Sequence, residues 1–294
     1  MQNMLRSIAQ DRLDLLLADY ARAVARRRRR SFIVVAVLAV LVVVAGRYGE
    51  VDPENLLDHL SSLTSYFGRI LPKLTSAHMV ADVADWYWNF FGWLKLLLDT
   101  VMIAYLGTFV GAAGALMAAF LAAANLTPGR WVRWISKRVL EFCRTVPDIV
   151  FAMMFVSAFG LGPLAGVLAI AIHTFGALGK LFTEVVENID MRPVEGVRSA
   201  GGRFLDTARY GALPQVMGNL ASYALLRFEI NVRSSAVVGF VGAGGIGQEL
   251  FVAIRKFFYT DVSAILLMII VTVAVLDLVT EQIRHRLARL EPAP

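Results

Sequence analysis

The chain has 294 residues, of which 57% are hydrophobic and only 18% are charged, and its formal net charge is +6. A soluble domain of this length is rarely so apolar, so the composition indicates a membrane protein. The single cysteine, Cys143, excludes a disulfide framework and a multi-cysteine metal site. The histidines show no metal-ligand spacing, so neither a metal site nor a catalytic site is predicted.

The N-terminal segment, residues 1–30, is basic and ends in the run Arg26–Arg30, directly before an apolar stretch. An arginine pair at this place resembles an export signal, but the charged lead is long and further apolar blocks follow, which favours an uncleaved helix. Leu13, Leu16 and Tyr20 lie at helical spacing among charged residues, which predicts an amphipathic helix on the membrane surface. A poorly ordered basic tail is the alternative.

Six apolar blocks with few charges are candidate spanning helices. Only helices satisfy their own backbone hydrogen bonds in lipid, so we predict an all-α polytopic membrane protein with about six transmembrane helices. The first helix and an extracytoplasmic segment take residues 31–93, and the core transmembrane domain takes residues 94–294. The predicted spans are Phe32–Gly46, Leu94–Ala124, Val139–Phe159, Leu164–Phe182, Val216–Phe240 and Val262–Ile283.

The placement of lysine and arginine predicts that both termini are cytoplasmic. Basic residues are dense before span one and after spans two, four and six, whereas the alternate loops contain fewer of them. The tail after span six contributes Arg284, Arg286 and Arg289. We therefore assign the net charge of +6 to membrane topology, and nucleic-acid binding is not predicted.

The polar segment between spans four and five, residues 184–215, has the signals of a helix, a hinge and a second helix. Asp190 and Pro193 indicate a helix start, and Glu195 falls in the first turn, where the helix dipole favours a carboxylate. Gly201 and Gly202 then break the helix. The later pieces are a second helical segment, Phe204–Tyr210, and a redirection of the chain at Leu213–Pro214.

Span five carries polar and charged residues, which are expensive in a membrane and therefore indicate either function or mutual pairing. Glu229 and Arg233 are one turn apart and are predicted to neutralise each other. The remaining polar residues would form an adjacent face that suits a tetrahedral oxyanion, because guanidinium and hydroxyl donors match its oxygens. An internal salt-bridge network is the alternative. The candidate substrate-pathway residues are Arg227, Glu229, Asn231, Arg233, Ser234 and Ser235.

The stretch GAGGIG follows span five and resembles a dinucleotide-binding fingerprint. That fingerprint requires a preceding strand and a βαβ unit, neither of which is predicted here. We interpret the stretch as a turn that needs glycine for positive φ or for close helix approach, where span five ends and the chain bends along the membrane surface. The turn glycines are Gly242, Gly244, Gly245 and Gly247.

The 184–215 loop resembles the Glu-Ala-Ala loop of ABC importer permeases. Glu195, Gly201 and the run Gly211-Ala212-Leu213-Pro214 match that motif in type and spacing, although Gly196 and Val197 replace the two alanines and Gly211 replaces an isoleucine. The resemblance implies a type I importer permease fold whose loop docks on a separate ATPase subunit. The coupling residues it implies are Glu195, Gly196, Gly201, Gly202, Arg203, Gly211, Leu213 and Pro214.

The same resemblance implies the partners and the location. No phosphate-binding Walker motif occurs in the sequence, so no cofactor is predicted in this chain, and ATP and Mg would be held by the partner ATPase. The expected assembly has two copies of this chain, two ABC ATPase subunits and an extracytoplasmic substrate-binding lipoprotein or periplasmic protein. It would lie among lipids of a bacterial cytoplasmic (inner) membrane.

Within that family the chain looks most like the phosphonate- or phosphate-type permease. The run Arg144-Thr145-Val146-Pro147-Asp148 and the segment Arg227–Leu250 carry this likeness. It implies uptake of phosphonate, phosphate or a related small oxyanion by alternating access. A permease for another small solute, such as methionine or an amino acid, and an ion-coupled secondary transporter are the alternatives. The outer segment Gln248–Asp261 is expected to contact the substrate-binding protein or to anchor on the lipid surface.

Overall fold

A computed structural model describes the backbone of residues 2–72, 75, 78–127 and 129–288, and the side chains of these residues except 2–19, 21, 53, 54, 56, 287 and 288. Arg289 and the side chains of Leu13 and Leu16 lie outside this part of the chain. The described residues are helical, with the helices joined by short turns, so the predicted all-α fold class is confirmed.

The helices follow one another with few intervening residues. The α-helices are α1 (Gln2–Tyr48), α2 (Pro53–Asp58), α3 (Leu60–Ile70), α4 (Met79–Trp86), α5 (Phe90–Ala122), α6 (Arg130–Thr145), α7 (Asp148–Phe159), α8 (Pro163–Glu187), α9 (Met191–Ser199), α10 (Phe204–Asp206), α11 (Leu213–Val238), α12 (Ile246–Arg255) and α13 (Tyr259–Ala288). A π-helix, Thr207–Ala212, joins α10 to α11, and a 3-10 helix, Gly239–Val241, follows α11.

The chain divides into two units, residues 1–67 and residues 68–294. In the first unit, α1 is one uninterrupted helix that contains both the basic segment and the apolar block after it. Between Arg22 and Tyr48 the apolar residues of α1 are not buried within the protein. Such a surface is stable only against lipid or another apolar partner, which agrees with a membrane-spanning role.

The second unit is built around α5 and α8, which pack closely along their lengths. Glycines on α5 make this approach possible, because a Cβ on Gly107 would press against Ile170 and one on Gly111 would press against the Ala171 carbonyl. Small residues allow close packing between helices in membranes, where van der Waals contact is a main driving force. Around this pair, α6 and α7 pack on α8, and α11 packs on α5, α8 and α13.

The third predicted span, Val139–Phe159, is two helices rather than one. α6 ends at Thr145 and α7 begins at Asp148, with Val146 and Pro147 extended between them. Proline restricts the residue before it to extended conformations and cannot donate a backbone hydrogen bond, so Pro147 ends α6. α6 carries charged residues at exposed and half-buried positions, and the apolar 12-residue α7 follows it.

By length and composition, α5, α8, α13 and the Arg22–Tyr48 part of α1 can each cross a membrane in the described part of the chain. A further span is formed if the segments Phe204–Val241 and Ile246–Arg255, which meet at a bend of 49°, are taken together. With the shorter α7, these helices account for about six spans.

Candidate functional site

The segment between α8 and α11 begins with a capped helix. Asp190 is the N-cap of α9, and its side chain accepts a hydrogen bond of 3.0 Å from the backbone N–H of Arg192. The Arg192 side chain also donates to this carboxylate, and these hydrogen bonds hold the pKa of Asp190 below its ordinary value. Since the pKa is lowered, the cap persists at neutral pH and is lost only as the pH falls through the lowered value.

α9 ends where Gly201 adopts a φ of +86°, a conformation that favours glycine. The chain then forms α10 and the π-helix Thr207–Ala212, in which the N–H of Leu213 donates to the carbonyl of Ala208. Pro214 does not break this course, because it lies in the first turn of α11, where no intrahelical donor is needed. The loop therefore runs into α11 through continuous helical backbone.

The inner side of this loop is fixed to the body of the second unit. Val194 is fully buried among residues that include Phe182, Ala212 and Val216. The Gln215 side chain donates to the carbonyls of Asp190 and Gly211, which ties both ends of the segment together. The loop is thus held in place by packing and by hydrogen bonds.

The outer side of the loop is exposed and offers both charge and apolar surface. Glu195 and Gly196 are exposed on α9, and Arg203 and Arg209 are exposed beyond the hinge. Leu205 and Tyr210 stand out as large apolar side chains that are 77% and 62% exposed. Apolar anchors surrounded by charge are typical of a surface that docks on another protein. The remaining loop residues singled out from the sequence differ in exposure, with Gly202 and Leu213 half-buried and Gly211 buried.

In α11 the candidate residues divide into groups with different surroundings. Asn231 is buried, and its amide donates at 2.8 Å to Thr108 of α5 and at 2.8 Å to Thr174 of α8. Ser235 is also buried and donates to the Thr100 carbonyl at 3.3 Å. These two residues connect three helices, as expected of polar side chains that hold membrane helices together.

The sequence predicted that Glu229 and Arg233 pair with each other. This prediction is wrong, because each of them pairs with a residue of α13 instead. Glu229 is buried, accepts a hydrogen bond from Thr280 and lies 3.3 Å from a guanidinium nitrogen of Arg284. Arg233 lies 3.2 Å from a carboxylate oxygen of Asp277. Because α11 and α13 run antiparallel, residues of α13 lie opposite Glu229 and Arg233. The contacts between the two helices therefore replace the predicted pairing within α11.

The Arg233–Asp277 pair differs from the Glu229–Arg284 pair in its exposure. The side chains of Arg233 and Asp277 are 53% and 42% exposed, whereas that of Glu229 is 9% exposed. Charged residues in membrane-spanning helices face a protein interior or a water-filled cavity rather than lipid. The exposed pair therefore marks a surface that lipid does not cover.

Arg227 and Ser234 lie on the side of α11 that faces α7. The Ser234 hydroxyl donates to Asp148, the first residue of α7, at 2.5 Å. Arg227 interacts electrostatically with the same carboxylate. Its Nε is buried and has no hydrogen-bond partner within the described residues. The side of α11 that faces α7 therefore carries a cation and a hydroxyl near the carboxylate of Asp148.

Between the α7 side and the α13 side, α11 presents an exposed stripe, which we call the open face of α11. Its exposed residues are spaced by eleven, three and four positions, each close to a whole number of helical turns, so they share one side of the helix. One edge carries Arg227 and Ser234, and the other edge carries the Arg233–Asp277 pair. The exposed residues of the stripe are Asn219, Ile230, Arg233 and Val237.

The GAGGIG stretch forms a buried joint between α11 and α12. Gly242, Gly244 and Gly245 have φ values of +87°, +86° and +79°. Gly247 packs so closely on α11 that a Cβ at this position would overlap the carbonyl oxygen of Ala236. The Ile246 N–H donates to the Thr100 hydroxyl at 2.8 Å, which fixes the joint to α5. The 49° bend between the flanking segments is therefore set by the glycines.

Beyond this joint, the start of α13 packs against tryptophans that precede α5. The Trp86 indole donates to the Ser263 hydroxyl at 3.0 Å, and the Trp88 indole donates to Asp261 at 3.2 Å. The segment Gln248–Asp261 also exposes Phe257 and Phe258. Tryptophans of this kind are typical of the boundary between a membrane and water.

Several partners in these contacts were not singled out from the sequence. Asp277 and Thr280 belong to α13, as does Arg284, which had been assigned only to membrane topology, and Thr108 and Thr174 lie in α5 and α8. The sequence could have indicated Asp277, because a carboxylate inside an apolar span is energetically costly and therefore needs a partner or a function. The threonines had none, since a threonine can donate to its own helix backbone in any span.

The chain is similar to a known family of transport proteins. Residues 111–290 match the family described as binding-protein-dependent transport system inner membrane components. The chain belongs to this family. As an inner membrane component of such a system, it is a transport subunit rather than an enzyme, and it works with ATPase and substrate-binding partners. The predicted membership of the ABC importer permeases is confirmed.

Three curated relatives show where this permease lies within the family. It is 35% identical over 244 residues to the phosphite transport system permease protein PtxC of Stutzerimonas stutzeri, covering 83% of this chain and 84% of the relative. It is 41% identical over 198 residues to the phosphate-import permease protein PhnE of Mycolicibacterium smegmatis, and the match covers 67% of this chain and 37% of the relative. It is 53% identical over 117 residues to a cryptic phosphonate transport system permease protein of Escherichia coli, and the match covers 40% of this chain and 96% of the relative.

Solved structures support the fold of the permease. The MetNI methionine ABC transporter in an inward-facing conformation aligns with a TM-score of 0.57 at 16% identity, covering 66% of this chain and 95% of that chain. A bacterial ABC transporter involved in import of alginate aligns with a TM-score of 0.59 at 11% identity, covering 84% and 98%. At these identities the likeness concerns the fold alone.

Proposed function

We propose that this permease imports phosphate, phosphonate or phosphite by alternating access. The observation that carries the proposal is the open face of α11, on which Arg227 and Arg233 lie at the two edges of one membrane-spanning stripe. Guanidinium groups match the oxygens of tetrahedral oxyanions. Relatives named for phosphite, phosphate and phosphonate transport support this choice of solute.

A second copy of the chain would cover the open face. The Arg233–Asp277 pair is half exposed in a membrane-spanning region, where contact of charges with lipid is unfavourable. Two copies that place their open faces toward each other would enclose a polar path between them. In this arrangement Arg227, Arg233 and Ser234 border the path, whereas Glu229, Asn231 and Ser235 hold the helices that form its wall.

The loop between α8 and α11 is the proposed docking element for the ATPase. Its inner side is fixed by Val194 and Gln215, so a force applied to its outer side reaches α11 without loss in a flexible linker. Glu195 offers a carboxylate, and Leu205 and Tyr210 offer apolar anchors. Closure of two ATPase subunits would then bring two such loops together and switch the path between its two openings.

The remaining features of the assembly follow from this placement. The docking loop and both termini would lie in the cytoplasm of a bacterial cell, and the tryptophan-rich end near Trp88 and Asp261 would face the substrate-binding protein. ATP and Mg would be held by the ATPase subunits. The assembly would contain two copies of the permease and two copies of the ATPase.

The proposed function can be tested by reconstituting the permease with its ATPase in nanodiscs and measuring ATP hydrolysis. We expect binding protein loaded with phosphate, methylphosphonate or phosphite to stimulate hydrolysis at least about tenfold more in the wild type than in Glu195→Ala. Glu281→Gln, which alters an exposed carboxylate of α13 far along the chain from the docking loop, serves as the matched control and should behave like the wild type.

Two results would contradict the proposal. A stable complex that no loaded oxyanion stimulates would remove the solute assignment. Equal stimulation of the wild type and Glu195→Ala would remove the assigned role of Glu195 in the docking loop.

A further inference from the structure

Asp148 occupies an unusual place, at the first residue of a helix that begins inside a predicted span. Pro147 ends the preceding helix, so the carboxylate stands at the break between α6 and α7. Its oxygens accept hydrogen bonds from the Ile149 N–H at 2.9 Å and from the Ser234 hydroxyl at 2.5 Å. A carboxylate has about four acceptor sites, so about two remain open on the half-buried Asp148.

Asp148 differs from the other carboxylates that lie on α11 or against it. Glu229 lies 3.3 Å from Arg284, and Asp277 lies 3.2 Å from Arg233, so each has a cation in direct contact. Asp148 acts on Arg227 electrostatically, but among the described residues no ion pair joins them, and the Nε of Arg227 has no hydrogen-bond partner. A cation and a carboxylate thus lie at the same edge of the open face without a direct ion pair, and the carboxylate keeps unused hydrogen-bonding capacity.

This combination would discriminate among anions by their hydrogens. Arg227 attracts any oxyanion, but the neighbouring carboxylate repels an anion that offers only oxygens. An anion that carries a P–OH group can turn that hydrogen toward the carboxylate and form a short, charge-assisted hydrogen bond. Phosphate, methylphosphonate and the monoanion of phosphite carry such a hydrogen near neutral pH, whereas sulfate and dimethylphosphinate do not.

We propose that Asp148 is a specificity-determining residue, which accepts a hydrogen bond from the P–OH of a solute held by Arg227 and so disfavours oxyanions that carry no P–OH group. The proposal rests on the proposed function, because it assumes that oxyanions pass the open face of α11. Sites that recognise a hydroxyl discriminate strongly against analogues without it, since their own polar group is then left without a partner. Repulsion of the wrong anion adds to this effect.

The test uses a local reporter, because a site on a transport path binds weakly. Ile230 is exposed on the open face and lies one turn from Arg227 and Ser234. In a Cys143→Ser background, which removes the natural cysteine, Ile230→Cys can be labelled with a neutral methanethiosulfonate reagent in the permease–ATPase complex in nanodiscs. The labelling rate is measured against increasing phosphate, methylphosphonate, sulfate and dimethylphosphinate at constant ionic strength.

With Asp148 intact, we expect phosphate and methylphosphonate to slow the labelling at concentrations at least about tenfold lower than sulfate and dimethylphosphinate. Asp148→Asn keeps an oxygen that can accept from Ser234 but adds an N–H donor, so the preference should shrink to within about twofold. Glu281→Gln should keep the preference. Arg227→Gln should weaken protection by all four anions together, because the shared cation is then lost.

An unchanged preference in Asp148→Asn, with labelling and assembly intact, would overturn the inference while leaving the oxyanion path standing. Equal protection of the parent protein by all four anions would overturn it as well. Absence of protection by any anion, together with no ATPase stimulation by a loaded binding protein, would remove the proposed function itself. These outcomes separate the failure of the residue assignment from the failure of the transport assignment.

Discussion

Both sides of α11 carry polar residues, but the two sides have different surroundings. On the closed side, Asn231 and Ser235 are buried and donate to groups of α5 and α8. On the open face, Arg233 is half exposed and pairs with Asp277 at a surface that no described helix of the second unit covers. The difference shows that the hydrogen-bond partner and the exposure of each polar group separate those that hold the bundle together from those that remain accessible at its surface.

The largest effect is expected at the closed side, from Gly247→Ala. The added Cβ would overlap the carbonyl oxygen of Ala236, so α12 could not pack on α11. Because backbone rather than a movable side chain is in the way, we expect loss of folded protein, which size-exclusion profiles of detergent-solubilised membranes would show. Gly196→Ala is the control, since nothing lies within 4 Å of its added Cβ. Equal yields of the two variants would disprove the tight joint.

On the open face, Arg233→Gln should remove transport without unfolding the protein. The side chain is exposed and contributes little to packing, but its charge would be absent from the path. We expect uptake in proteoliposomes to fall at least about tenfold, as the loss of a charge-assisted contact of about 1.5–3 kcal/mol implies. The melting temperature should change by only a few degrees.

The double variant Arg233→Gln/Asp277→Asn tests whether pairing alone matters. If Arg233 serves only to neutralise Asp277, the double variant should recover uptake. If Arg233 meets the solute, as we expect, uptake stays low although no lone carboxylate remains.

The smallest of these effects is expected from Asn231→Leu, on the closed side. The change removes two hydrogen bonds within the bundle, and each such bond in a membrane protein contributes about 0.6 kcal/mol on average, so stability should fall by about 1 kcal/mol. Uptake per folded molecule should persist. Ile230→Leu on the open face is the matched control and should leave stability unchanged. Normal stability with lost uptake in Asn231→Leu would instead place Asn231 on the path.

Much of the fold could be predicted from the sequence, because its signals are local. The apolar blocks of α5, α8 and α13 and the glycine hinge at Gly201 depend on neighbouring residues only. The break at Pro147 also had a local signal, but the long apolar block around it concealed the division into α6 and α7.

The site was less predictable, because its contacts join residues far apart in the chain. The sequence placed Glu229 and Arg233 one turn apart, yet each contacts a residue of α13 that lies more than forty positions away. The register between two helices decides such contacts, and periodicity within one helix does not specify it. Asn231 illustrates the same limit, since nothing in its own segment indicates that Thr108 and Thr174 meet it.

The close approach of α5 and α8 restricts how the permease can move. An interface in which Gly107 and Gly111 leave no room for one methyl group also leaves no room for the side chains of α8 to pass over α5. Sliding of the two helices past each other would require the packed core to open first. We therefore expect α5 and α8 to move together as one rigid body. In the proposed dimer, changes of access would therefore occur by tilting of one copy against the other rather than by sliding of α8 along α5 within one copy.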